Sequence, residues 1–233
     1  QTHQSLVRYL IEETYEVVDA LQALDSGDPS TDEALVEELG DLLYQIEFHA
    51  TIAEQEGRFT MADVARGVHD KLVRRHPHVF GDVDAADSDT VVANWDALKA
   101  EEKPERTGVF DGVAPGQPSI AYTEQLQRRA AKVGFDWAAD SDAVARIRSE
   151  LDELLAARDD AEREHELGDL LLSVVGLARR HGIDAEMALR GAAARFRRRF
   201  EAMVPDPTED LAALTADEWV RRWDAAKVHE PRH

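Results

Sequence analysis

The chain has 233 residues, with 48 acidic side chains against 27 basic ones, a formal charge of −21 and no cysteine. That length suits one large domain or two small ones, and a hydrophobic fraction of 43% excludes a disordered polyanion. Disulfides, iron–sulfur clusters and cysteine-ligated zinc are excluded with the cysteines. No apolar run reaches the ~18 residues of a membrane span, no signal peptide opens the chain, and the negative charge argues against nucleic acid as a partner. A cytoplasmic protein is expected. The chain opens on Gln1 rather than Met, which reads as loss of upstream sequence.

The periodicity is helical almost throughout. Leu6, Leu10, Val17, Leu21 and Leu24 follow a 3.6-residue stripe that Gly27-Asp28-Pro29 interrupts. Leu35, Leu39, Leu42, Ile46 and Ala53 draw a second stripe, ending near Gly57. Thr60 with Asp63 three residues on predicts the start of a third helix, which Pro77 stops at about His76. Val91, Trp95 and Leu98 mark a fourth. From Lys103 to Pro118 prolines and glycines gather, as in an interdomain linker. Helical stripes resume through Val133, then over Val144–Leu154, Leu167–Val174 and Asp184–Met203, and Thr215 with Glu218 starts the last helix. No alternating strand pattern is present. An all-α fold is expected, as two helical domains over 1–102 and 119–233 with residues 103–118 between them. The charge is uneven across this division: residues 1–118 carry −16 and residues 119–233 carry −5.

The two halves repeat each other in order. Glu12-Glu13-Thr14-Tyr15-Glu16 resembles Ser149-Glu150-Leu151-Asp152-Glu153, and Glu38-Leu39-Gly40-Asp41-Leu42-Leu43 matches Glu166-Leu167-Gly168-Asp169-Leu170-Leu171. Lys71 and Arg75 line up with Arg195 and Arg199, and Trp95 and Lys99 with Trp223 and Lys227. A duplication accounts for this order.

Several carboxylates stand where solubility does not need them. Glu13 lies between Leu10 and Val17 on the apolar stripe, with Glu16 three residues on and on the same face. Glu38 lies between Leu35 and Leu42, with Asp41 three residues on, and Glu150 lies between Ile147 and Leu154. A carboxylate facing a core is costly unless it is paired or binds a metal. Two Glu-x-x-acid pairs on facing helices offer four oxygen ligands, the donor set of hard cations such as Mg²⁺ or Mn²⁺. A di-iron bundle needs Glu-x-x-His from two helices; Glu162 to His165 matches, with no second match in the right context. The paired cations Lys71/Arg75 and Lys99, in a half with nine basic residues, suggest a phosphate grip, and Trp95 and Trp223 could stack on a base. His76 reads as a helix cap. No Walker A loop or G-x-G-x-x-G is present.

These blocks resemble the MazG family of nucleoside triphosphate pyrophosphohydrolases in its two-domain form. The family signature Glu-Glu-x-x-Glu followed by Glu-x-x-Asp stands here as Glu12-Glu13-x-x-Glu16 and Glu38-x-x-Asp41. Leu72 to Phe80 and Val133-Gly134-Phe135-Asp136-Trp137 are similar to distinctive stretches of its first and second domains. The family's Cys-Pro-Trp-Asp segment, which would precede Gln1, does not occur. Ser149, His165 and Arg195 replace the counterparts of Glu12, Glu37 and Lys71.

The resemblance implies an all-α homodimer that hydrolyses nucleoside triphosphates between the α and β phosphates in nucleotide-pool house-cleaning. Mg²⁺ would be held by Glu13, Glu16, Glu38 and Asp41, and in the second half by Glu150, Glu153, Glu166 and Asp169. Glu12, Glu37 and Glu38 are the expected catalytic acids. Lys71, Arg75, Trp95 and Lys99, with Arg195, Arg199, Trp223 and Lys227, would bind substrate. The rival reading is a non-catalytic nucleotide-sensing or scaffold protein with degenerate acidic sites.

Overall fold

The computed structural model describes residues 1–24, 27–76, 80, 108–204, 208 and 210–228. All regular structure among them is helical. The chain divides into two compact units, Gln1–Pro104 and Glu105–His233.

In the first unit, helix α1 (His3–Ala23) and helix α2 (Pro29–Gln55) pack along each other, and α3 (Met61–Arg75) packs on α2. Local chemistry sets each boundary. Thr2 and Ser5 form a capping box at the start of α1. Asp28 caps α2 through the Ser30 amide at 2.9 Å, with Pro29 in the first turn. Gly57, at φ 68°, makes the left-handed residue that closes α2. Thr60 and Asp63 form the capping box that opens α3, and the His76 ring closes it on the Leu72 carbonyl at 2.8 Å. Leu6 and Val17 of α1 and Ala50, Ile52 and Ala53 of α2 are buried.

The second unit holds α4 (Ser119–Lys132), α5 (Asp140–Ala156), α6 (Asp160–Arg180), α7 (Ala185–Met203), a 3₁₀ turn (Leu211–Ala213) and α8 (Ala216–Val228). The 3₁₀ turn is too short to leave a periodic signal. Helices α5 and α6 form the hairpin corresponding to α1 and α2; α4 packs on α6 and α7, and α8 on α7. Asp159 caps α6 and Asp184 caps α7, each accepting from the amide three residues on. Residues 108–118, in the expected linker, are turns and irregular backbone. The expected helix around Val91–Leu98, residues 103–107 and Pro77–Val79 lie outside the described residues.

Candidate active site

In each unit the acids come from the two helices of one hairpin. In the first, α1 supplies Glu13 and α2 supplies Glu38 and Asp41, whose carboxylate oxygens lie within 4.8 Å of one another. In the second, α5 supplies Glu150 and Glu153 and α6 supplies Glu166, again within 4.8 Å. The two groups differ by one member. Glu16 stands outside the first trio, although it hydrogen-bonds to Glu13. Asp169 stands outside the second, although its charge is felt by Glu150. Together the trios cover all four repeated acid positions.

Two substitutions between the halves touch the acids that differ. Ser149, where the first half has Glu12, donates its hydroxyl to Glu153 at 2.7 Å. His165, where the first half has Glu37, lies 3.6 Å from Asp169. Glu12 and Glu37 themselves are exposed and outside the trio.

The electrostatics are those of crowded carboxylates. Burial first, then the hydrogen bond and charge of Glu16 and the charges of Asp41 and Glu38, hold Glu13 above the ordinary carboxylate range. Burial, then Glu16, Glu37 and Asp41, do the same for Glu38. Glu150 is 1% exposed. Its burial raises it, Arg146 pulls it partly back, and Glu153, Asp169 and Glu166 raise it again. Its Oε2 is buried without a hydrogen-bond partner among the described residues. A buried carboxylate oxygen without a partner, on a residue that converges with two other acids, can accept a cation.

Beside the second trio lies a cleft of about 580 Å³, walled by Leu126, Phe135, Trp137 and Leu172 and reaching Glu150 and Asp169. Trp137 is locked in place. The neighbouring Asp136 accepts from Arg179 at 2.5 Å, and Arg180 donates to the Trp137 carbonyl at 2.7 Å and to Asp140 at 2.8 Å. Its ring lies against Gly176 of α6, where a Cβ would sit 2.4 Å from the indole. Arg179 also holds Asp136 below the ordinary aspartate range.

The expected phosphate and base groups are placed unevenly. Lys71 is exposed and Arg75 half-buried on the last turns of α3. Trp95 and Lys99 lie outside the described residues. Trp223 of α8 tilts against Phe196 of α7 at 5.5 Å, with Arg199 5.5 Å and Lys227 5.8 Å from its ring. Arg195 is exposed on α7. The repeat therefore brings Arg199, Trp223 and Lys227 together as one cationic–aromatic group. The di-iron match does not assemble: Arg158 takes both oxygens of Glu162, and neither carboxylate trio contains a histidine.

Arg146, Gln127, Trp137 and Gly176 were not singled out as site residues by the sequence. Arg146 had a signal, since a cation four residues before Glu150 shares its helix face. Trp137 stood in a recognisable block but carried no role. Gln127 and Gly176 had none, because only tertiary packing brings Gln127 to the cleft and Gly176 against the Trp137 ring.

Residues 1–80 match the model of the MazG nucleotide pyrophosphohydrolase domain. The chain is 40% identical over 231 residues to the nucleoside triphosphate pyrophosphohydrolase/pyrophosphatase MazG of Thermotoga maritima, covering 97% of this chain and 87% of that protein. It is 41% identical over 240 residues to the nucleoside triphosphate pyrophosphohydrolase of Escherichia coli K12, covering 99% and 89%. With the similarly named protein of Mycobacterium tuberculosis it shares 36% over 228 residues. At this identity over nearly the full length of both chains, the protein belongs to the MazG nucleotide pyrophosphohydrolase family.

Proposed function

We propose that this protein hydrolyses nucleoside triphosphates to nucleoside monophosphate and pyrophosphate with a divalent cation, Mg²⁺ or its substitute Mn²⁺. The observation that carries the reading is the convergence of three carboxylates from two helices in each unit. It is joined by the names of relatives that align over nearly the whole chain.

The residues fit the ion. Two oxygens on opposite sides of one Mg²⁺ stand about 4.2 Å apart, twice the ~2.1 Å bond length. Oxygens already within 4.8 Å need only small side-chain shifts, and the orphaned Glu150 Oε2 gains a partner. Glu13, Glu16, Glu38 and Asp41 would hold one site; Glu150, Glu153, Glu166 and Asp169 the other. The bound ion supplies charge neutralisation of the phosphates and an acidified water.

The remaining work falls to the chain's own groups. Glu12, Glu37 or Glu38 orients the attacking water or takes its proton as it approaches the α-phosphorus. Pyrophosphate leaves in line, its charge met by Lys71, Arg75 and Lys99 in the first site and by Arg195, Arg199 and Lys227 in the second. Trp95 and Trp223 stack on the base or sugar.

We read the chain as two MazG-like domains, 1–102 and 119–233, joined by 103–118. The division of the fold near Pro104 and the matched hairpins support this. Homodimerisation is supported by apolar side chains exposed at repeated positions: Leu39, Leu43 and Ile46 on α2, and Leu167, Leu171 and Val174 on α6. No described helix is long and apolar enough to cross a membrane, which agrees with a cytoplasmic place in nucleotide-pool house-cleaning.

The test is turnover of a panel of canonical and damaged triphosphates, with Mg²⁺ and with chelator. Metal-dependent turnover of at least one is expected. Binding of Mg²⁺-nucleotide with no turnover of any would replace this reading with the sensing or scaffold one.

A further inference from the structure

In the second trio, Glu150 and Glu153 share a cation of their own helix. Arg146 is ion-paired with Glu150 and lies 3.8 Å from Glu153. It thus engages two of the three carboxylates that converge there, and it lines the apolar cleft together with Glu150 and Asp169. The geometry has a direction. Glu150 is almost wholly enclosed, with only 2% of its side chain exposed, whereas the Arg146 side chain is 48% exposed. The carboxylate is fixed and the guanidinium is the partner that can leave. The repeat provides the contrast: the residue four positions before Glu13 is Tyr9, so the first unit lacks this cation at the corresponding place.

We propose that Arg146 is a built-in counter-ion of the second site, which competes with the divalent cation for Glu150 and Glu153 and, once displaced, contacts the substrate's phosphates. The proposal rests on the reading of the second trio as a metal site. A guanidinium and a divalent ion cannot both sit against the same two carboxylates, because like charges repel and the oxygens' lone pairs are limited. Displaced by rotation about its own side chain, Arg146 remains in the cleft beside the acids. There it is the planar donor best suited to a phosphate oxygen pair. The pair therefore keeps an enclosed carboxylate from standing uncompensated before metal arrives, and the same arginine is then available when the triphosphate brings its own negative charge. The two sites should differ in metal affinity for this reason alone.

The experiment is Mn²⁺ binding to the full chain, read by the electron paramagnetic resonance of free Mn²⁺ with no nucleotide present. It is done on Glu38→Gln protein, to weaken the first site, and on the same protein carrying Arg146→Gln or Arg146→Lys. Arg146→Gln is expected to bind Mn²⁺ about three- to tenfold more tightly, a range scaled from a partly exposed charge-assisted contact, and Arg146→Lys to stay near the parent. Binding of a non-hydrolysable α,β-linked triphosphate analogue, measured by calorimetry with Mg²⁺, should weaken in Arg146→Gln. Unchanged or weaker Mn²⁺ binding in a helical, cooperatively melting Arg146→Gln protein overturns the competition. Should Arg146→Gln not fold, Arg146→Met under the same measurement carries the same two outcomes. Failure of the underlying reading looks different: adding Glu166→Gln to the parent would then leave Mn²⁺ stoichiometry and affinity unchanged, and both claims would fall together.

Discussion

Gly176→Ala probes the packing on which the second site's cleft depends. A Cβ there would lie 2.4 Å from Cζ3 and 2.6 Å from Cη2 of Trp137, and 3.3 Å from Oε1 of Gln127. Carbon atoms at ease stand about 3.5–4.0 Å apart, so something must yield by more than an ångström. The indole is rigid and its own segment is tethered through Asp136–Arg179 and the Trp137 carbonyl–Arg180 contacts. The helix therefore cannot accept the methyl without displacing the ring. Overpacking of this kind costs about 1–3 kcal/mol, whereas replacing a mid-helix glycine by alanine gains about 0.8–1.0 kcal/mol of helix propensity. Gly168, in the same helix, has nothing within 4 Å of a Cβ and isolates the propensity gain. Urea unfolding of both variants, followed by tryptophan fluorescence and circular dichroism, should therefore place Gly176→Ala about 1–3 kcal/mol below Gly168→Ala. The ring moved from the cleft should also change the emission of Gly176→Ala. Equal stability of the two variants would refute the close approach of Trp137 to α6, and with it the described wall of the cleft.

Other consequences concern the acids. Glu38→Gln and Glu166→Gln, made separately, should each remove metal-induced stabilisation from their own unit in thermal melts. Their activities should rank the two sites; full activity in both would contradict the assignment of the carboxylates. Because Glu13, Glu38 and Glu150 are held above the ordinary value of 4.5, their contribution to stability is complete below 4.5 and is lost as pH rises through the raised folded values. The metal-free protein should thus melt higher as pH is lowered from neutral towards that range, and Glu38→Gln should flatten the dependence. An unchanged slope in the variant would count against the crowding. Asp136 acts with the opposite sign: held below its ordinary 3.8 by Arg179, it stabilises above that value and its contribution fades only in stronger acid. Asp136→Asn should therefore destabilise the protein at neutral pH more than at pH values below that range, as a comparison of melts across pH would read.

What the sequence revealed followed from how local each signal is. Helix starts at Thr60 and Thr215 and the stop at His76 were legible because capping is a matter of three or four residues. The paired acids were legible because helical spacing puts i and i+3 on one face, and the duplication showed the pattern twice. Arg146 escaped because an arginine four residues before a glutamate is an ordinary pair on a helix surface, and nothing local marks Glu150 as enclosed. Gly176 meets Trp137, and Gln127 reaches the cleft, only through tertiary packing, which no short-range pattern encodes. The contacts of Ser149 with Glu153 and of His165 with Asp169 likewise depend on side-chain geometry across a turn of helix. The two replacements were visible; their geometric effect was not.

The most direct test of the central claim is to identify the products of the full chain acting on a triphosphate labelled at the γ-phosphate, with Mg²⁺ present and separation by anion exchange. Attack at the α-phosphorus predicts label in pyrophosphate and a nucleoside monophosphate in equal amount. Label released as orthophosphate with a nucleoside diphosphate left behind would contradict it.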